Sequence, residues 1–387
     1  MIALRRPPWL TRNVAAIGAV SLLTDVSSEM IVPLLPLFLA VELGAGPAAL
    51  GMIEGIADGV SSLLKLWSGR RADKTGRYRP FVVGGYALSS FARPFIALAA
   101  APVHVAAVRA IDRVGKGLRT SARDAILTAS VDPAHRGVAF GFHRAMDHAG
   151  ATIGPLVAVG LLSFFTDDLR VVFAAAAVPG VLATVAVLAV HEAPPPPPAD
   201  PSEAAPPDLA LWRVLVPVTL FAVAAASDTF LLLRAGHAWA NAIAMPLLWV
   251  GLNLVRALAA IPGGWLTDHL GARATLGLGW LVHAAVFAAL GLATDPAHVL
   301  PLVMAYGLHA GLAEPAQKAL VARRAAGWGA AFGWYNACLG LAGISASVGF
   351  GLVWEAFGSP VAFLGSAAVG AAATAALLFT VPADRPA

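Results

Sequence analysis

Gly69-Arg70-Arg71-Ala72-Asp73-Lys74-Thr75-Gly76-Arg77-Tyr78-Arg79 is a dense run of charge in a chain that is 58% hydrophobic overall. A diluted copy, Gly264-Trp265-Leu266-Thr267-Asp268-His269-Leu270-Gly271-Ala272-Arg273, begins 195 residues later. Each fits Gly-x-x-x-Asp-(basic)-x-Gly followed by arginine, and each reads as a hairpin between two long apolar segments. A charged motif repeated in that setting marks a duplicated membrane protein.

Composition agrees. Charged residues make up 12% of the 387, against about 25% in an ordinary soluble domain, and mean hydropathy is +0.76. A span needs about 20 apolar residues, so the chain holds ten to twelve helices and no large soluble domain. The expected spans are 14–40, 47–68, 79–100, 102–127, 138–164, 168–191, 211–235, 240–263, 274–293, 297–322, 328–353 and 359–381. The fourth carries Arg109, Asp112, Arg113, Lys116, Arg119 and Arg123. It is read as a crossing because the alternation of basic loops demands one there, and a polar stripe at helical spacing suits a cavity wall.

Lysine and arginine gather in alternate loops, including Arg5 to Arg12, Arg70 to Arg79, Arg119 to Arg136 and Lys318 to Arg324. The basic excess, 26 against 22 acidic residues, is therefore a topology signal and not a nucleic-acid footprint. By the positive-inside rule both termini face the cytoplasm. The apolar run after Arg5-Arg6-Pro7-Pro8 exceeds signal-peptide length, so the first helix is expected to be retained. A single cysteine, Cys338, leaves no internal disulfide and no zinc-cysteine cluster. The proline-rich segment after His191-Glu192 reads as an extended spacer. It divides the chain into a six-helix bundle at 1–191, a linker at 192–210 and a second bundle at 211–387. Ala139-Phe140-Gly141-Phe142 and Ala331-Phe332-Gly333-Trp334 open equivalent helices of the two halves.

These features resemble the major facilitator superfamily of secondary transporters, whose hairpin signature lies between helices 2 and 3 and again between 8 and 9. The resemblance covers essentially the whole chain. It implies an all-α integral membrane fold of twelve transmembrane helices in two pseudo-symmetric six-helix bundles. It assigns a conformational latch to Gly69, Asp73, Lys74, Gly76 and Arg77, with Gly264, Asp268, Gly271 and Arg273 in the second copy. Asp73 is expected to cap the helix starting near Trp328-Gly329, and Arg77 to pair with Asp124. A carboxylate at a helix amino terminus is stabilised by free N–H groups and the dipole, and breaking the latch would favour the inward-open state.

Gly141, Gly150 and Gly154-Pro155 resemble the helix-5 signature of drug and proton exchangers, although Ala158-Val159 replaces its final glycine pair. Small residues on one face permit close packing, and the same pattern is also a generic packing device. In helix 4 the family's arginine and glycine are matched by Arg113 and Gly117, but Lys116 stands where a glutamine is expected. Arg109 is a rival to Arg113 for a proton-relay role. The stretch from Asp112 to Asp124 with that from Gly141 to Asp147 is similar to an uncharacterised bacterial subgroup of permeases.

Intramembrane acids must face water, pair with a base, or bind a proton. Asp25 with Glu29, and Glu54 with Asp58, are spaced i, i+4 and share a helix face. The second pair equally fits simple solvation at the interface. His143 and Asp147 could relay protons, or Arg144 and Asp147 could form a structural ion pair beside His148. Asp228 is a further coupling candidate, since no base sits one turn before it. Arg234, Asn253, Arg256, Glu314, Trp334, Tyr335 and Asn336 complete the cavity candidates, with Glu314 and Lys318 read as an internal salt bridge. Trp249, Phe142 and Phe332 are aromatic candidates, or lipid-facing anchors.

The expected function is proton-coupled export of a small organic molecule by a monomer in the bacterial inner membrane. The alternative is uptake of an anionic metabolite drawn to Arg109, Arg113, Lys116 and Arg144. Transition-metal transport through Met30, Met52, Met146, His143, His148, His309 and Cys338 is weaker, because no Met-x-x-x-Met or His-x-x-x-His pair occurs. No cofactor, resident metal or nucleic acid is expected. His-Glu-x-x-His, Gly-x-Ser-x-Gly and the phosphate-loop motif are all missing, which argues against an enzyme or an ATP-driven pump.

Overall fold

The computed structural model describes residues 7–45, 47–192, 208–225, 228–238, 244–325 and 327–383. Among the described residues the chain is all-helical. The first half comprises α1 (Arg12–Glu42), α2 (Pro47–Thr75), α3 (Arg79–Leu98), α4 (Pro102–Ala129), α5 (Arg136–Phe164) and α6 (Leu169–Val187). The second comprises α7 in two pieces (Leu209–Ala224 and Asp228–Ala238), α8 (Ala244–Leu270), α9 (Ala272–Leu292), α10 (Pro296–Arg324), α11 (Trp328–Phe357) and α12 (Ser359–Thr380). These form the twelve-helix membrane fold in two six-helix bundles. Most of the proposed linker lies outside the described residues. Its first residue, Glu192, accepts the Tyr78 and Arg79 N–H groups and so closes the start of α3.

Among the described residues, eight helices are long and apolar enough to span a membrane on composition alone. The exceptions, α2, α4, α7 and α10, are those with charges through their length or a break in the middle. Prolines shape the breaks. Pro33 and Pro36 remove N–H donors from α1, which continues beyond Glu29 as a 3₁₀ turn, a short α turn and a π turn. The run from Gly69 to Thr75 is not a loop but the last turns of α2, and Gly264 to Leu270 likewise ends α8. The reversal falls on the final glycine of each motif. Gly76 has φ +62° and Gly271 φ +91°, a backbone region that any Cβ disfavours.

The apolar core shows how the halves meet. At the end bearing Arg12 and Thr380, one continuous cluster joins Val14, Ile17 and Phe140 of the first half to Leu276, Leu320 and Phe332 of the second. At the opposite end the core splits. Phe38, Ile96 and Phe173 form one cluster within the first half, and Leu231, Phe287 and Phe363 another within the second. The halves are thus fused at the basic end and separate toward the far end. Exposed apolar side chains such as Leu63, Phe91, Phe164 and Phe379 stand on the outer surface, as a bilayer solvent requires.

Candidate functional site

At the basic end each aspartate of the repeated motif crosses to the other half. Asp73 accepts the N–H groups of Gly329 (2.9 Å) and Ala330 (2.6 Å) at the start of α11. Asp268 accepts those of Gly137 (2.7 Å) and Val138 (2.8 Å) at the start of α5. Each carboxylate thereby occupies the positive end of a helix whose first donors have no partner of their own. The first glycine of each motif permits the approach: a Cβ on Gly69 would strike the Gly329 carbonyl, and one on Gly264 the Gly137 carbonyl. Tyr78 adds a bond of 2.6 Å to Asp73. Burial, and then the Asp73 charge, push the Tyr78 hydroxyl above its ordinary range, so it stays protonated and donates.

Deeper, a second layer joins the halves. Lys318 of α10 meets Asp124 of α4 at 2.7 Å, both side chains almost fully buried. Arg123 also binds Asp124, at 3.0 Å. Beyond it, Arg144 of α5 bridges Asp147 (3.0 Å) and Glu314 of α10 (3.1 Å). His143 lies 3.6 Å from Asp147 and bonds Ser21 of α1, while His148 reaches Glu314 at 3.4 Å. Four opposite-sign contacts among these six charges offset the cost of removing each from water.

Farther along lies a chamber between the halves. At 1.5 Å per residue, Asp25 and Lys116 both stand about 20 Å from the basic ends of their helices. Asp25 and Glu29 are partly exposed and Lys116 is exposed, although each lies midway along its helix. Among the described side chains Asp25 and Lys116 make no hydrogen bond or ion pair. The Trp249 indole of α8 approaches Glu29 from the opposite half. Gly150 packs on Asp25 and Gly154 on Glu29, while Gly141 packs on Ala260 of α8. The helix-5 glycines therefore seat α1 closely enough for its acids to line the chamber.

Several sequence expectations need correction. Arg77 is exposed and does not pair with Asp124, whose oxygens are taken by Lys318 and Arg123. Glu314 and Lys318 do not pair with each other; each reaches a different helix of the first half. Asp228 is held by Arg256 at 2.7 Å. Arg109 is buried against Asp112, which also binds Arg93 (2.8 Å) and Arg113 (3.2 Å). Arg234 turns away to the Ala293 carbonyl at the far end of α9. Trp334 lies near the basic end beneath Arg70, Tyr335 bonds Gln317, and Asn253 and Asn336 bond carbonyls of their own helices. Arg273 donates to the Leu378 carbonyl of α12, and Lys74 is exposed. The side chains of Glu54 and Asp58 lie outside the described residues. Arg93 was missed, although an arginine inside the apolar run of α3 was itself a signal, and Arg123 was read only as part of the polar stripe of α4. Among the described residues no group of three or more His, Cys, Asp or Glu is placed to hold a metal ion.

Residues 17–255 match the sequence profile described as Major Facilitator Superfamily. The chain belongs to that superfamily. An uncharacterised MFS-type transporter of Methanocaldococcus jannaschii is 29% identical over 359 residues, covering 89% of each chain. A multidrug resistance protein of Photorhabdus laumondii is 28% identical over 144 residues, 37% of this chain and 36% of its own. Among solved structures, the human organic anion transporter MFSD10 superposes with a TM-score of 0.80 at 16% identity, covering 96% of this chain and all of that one. This superfamily member is accordingly a multi-pass membrane transporter of small molecules.

Proposed function

We propose that the protein is a proton-coupled exporter of a small organic molecule, working by alternating access in the inner membrane of a bacterium. The basic end is cytoplasmic on this reading, so the structure represents an outward-open state with its inner gate shut. Asp73, Asp268 and the Asp124–Lys318 pair would form that gate and would release when the halves rock the other way. The protein acts as a monomer and makes no covalent change to its cargo.

The observation that carries the reading is Asp25, a carboxylate facing the chamber at mid-depth with no ion pair. Such an acid can load a proton from one side and release it to the other, whereas Asp147 is tied to Arg144 and His143. Asp25 is thus the leading coupling residue, Glu29 its neighbour, and Asp147 a positioning residue for the cross-half network. The packing of the helix-5 glycines on α1 and the partial similarity to a multidrug resistance protein support export. Uptake of an anion is the second reading, favoured by the exposed Lys116.

The test is proton movement in liposomes carrying the purified protein and an internal pH dye. Addition of a transported compound is expected to drive a proton flux that disappears in Asp25→Asn and persists at a reduced rate in Asp147→Asn. Full coupling in Asp25→Asn would remove the acid from the mechanism. The direction of the proton flux relative to the compound separates export from uptake.

A further inference from the structure

Lys116 is a charged side chain to which the export reading above gives no role. It lies between Gly115, which packs on Gly85 and Ser89 of α3, and Gly117, which packs on Ser61 and Leu64 of α2. With those flanking positions pressed against helices, Lys116 is exposed in the interior at the depth of Asp25. Its ammonium acts on both Asp25 and Glu29 through space, yet no ion pair forms with either. A lysine stem is long and flexible, and an apolar surrounding rewards collapse onto an available carboxylate. Arg93 and Arg113 also act on these acids but are bound to Asp112, so the open gap between Lys116 and the two carboxylates is a dipolar slot.

We propose that this slot binds a zwitterion, with its ammonium between Asp25 and Glu29 and its acidic group on Lys116. The assignment rests on the transporter reading given above and names the class of its cargo. A zwitterion satisfies both signs at once. A simple organic cation would leave Lys116 opposed to it, and a simple anion would face the two carboxylates. Lys116 is then a specificity-determining residue.

The test uses matched triads: phenylalanine, leucine and tryptophan, each with the amine and the acid left when one charged group is removed. Thermal stabilisation of the purified full-length protein reads binding, and dye-loaded liposomes read proton flux. At least one zwitterion is expected to bind ten-fold or more tightly than its amine and its acid. Lys116→Gln should lower that zwitterion-to-amine preference at least ten-fold, and Lys116→Arg, which keeps the charge, should retain it. Equal or tighter binding of the amines, or no response to any of the three zwitterions, overturns the assignment. Amines that drive a flux lost in Asp25→Asn would overturn it while leaving proton coupling in place. Zwitterions that bind without proton movement would uphold it and remove proton coupling instead.

Discussion

The two copies of the repeated motif differ in charge and agree in contact. The first carries five lysines and arginines between Gly69 and Arg79, and the second only Arg273 between Gly264 and Arg273. Both nevertheless place an aspartate on two N–H groups of the opposite half, a glycine against a glycine, and a reversing glycine at positive φ. What the copies share is the contact between the halves; what differs is their charge. One element has no counterpart. Asp124, 195 residues before Ala319, pairs with Lys318 on one side of the pseudo-symmetry alone.

That asymmetric pair supplies the largest expected effect. Asp124→Ala leaves the buried Lys318 ammonium near Arg123 without its carboxylate, and breaking a buried pair in this way costs about 3–5 kcal/mol. Thermal unfolding in detergent should show a clear drop in midpoint. An unchanged midpoint would mean that the two halves do not depend on this contact.

Removing what the copies share comes next. In Asp73→Asn combined with Asp268→Asn, each amide retains one acceptor oxygen, so at least one charge-assisted bond per copy is lost, each worth about 1.5–3 kcal/mol. Spin labels at Arg71 and His269, exposed and in opposite halves, should report a longer, broader distance. A distribution like that of the parent would mean that apolar contact alone shuts the gate.

How much of this was legible in the sequence follows from the same comparison. The motif pair, the hydropathy pattern and the alternation of basic loops carried the twelve-helix fold, including α4 despite its charges. Asp73 at the start of α11 followed from the family resemblance. Spacing within a helix could not reveal which charges meet between helices. Glu314 and Lys318 share a face at i, i+4, yet each has a nearer partner in the other half, and in a packed interface the shorter cross-helix contact wins. Asp228 and Arg256 belong to different helices, 28 residues apart, a separation that no periodic pattern marks. Nor could the sequence show that Lys116 stays apart from Asp25, because that depends on how far α1 and α4 splay.

A finer comparison is the one bond that the first copy adds. Tyr78 donates to Asp73, and no tyrosine stands at the equivalent place beside Asp268. Asp73→Ala, which removes both oxygens, should therefore open the gate more than Asp268→Ala, by a margin near that of one hydrogen bond, about 0.5–1.5 kcal/mol. Tyr78→Phe should remove the margin. If the single variants are equal without that change, the tyrosine holds the start of α3 and nothing more.

The smallest effect is expected at Arg77, where the family resemblance predicts a large one. Its presumed partner Asp124 already has both oxygens engaged, by Lys318 at 2.7 Å and Arg123 at 3.0 Å. Arg77 is exposed and, among the described residues, makes no hydrogen bond or ion pair. An exposed substitution without partners changes stability by less than about 0.5 kcal/mol, so Arg77→Ala should leave the melting midpoint and the Arg71–His269 distance unchanged. Its positive charge would then matter only for orientation in the bilayer, a role that Arg70, Arg71 and Arg79 share. A gate opened by Arg77→Ala would mean that Arg77 takes over Asp124 in part of the cycle, with Lys318 and Arg77 exchanging places on one carboxylate as the halves rock.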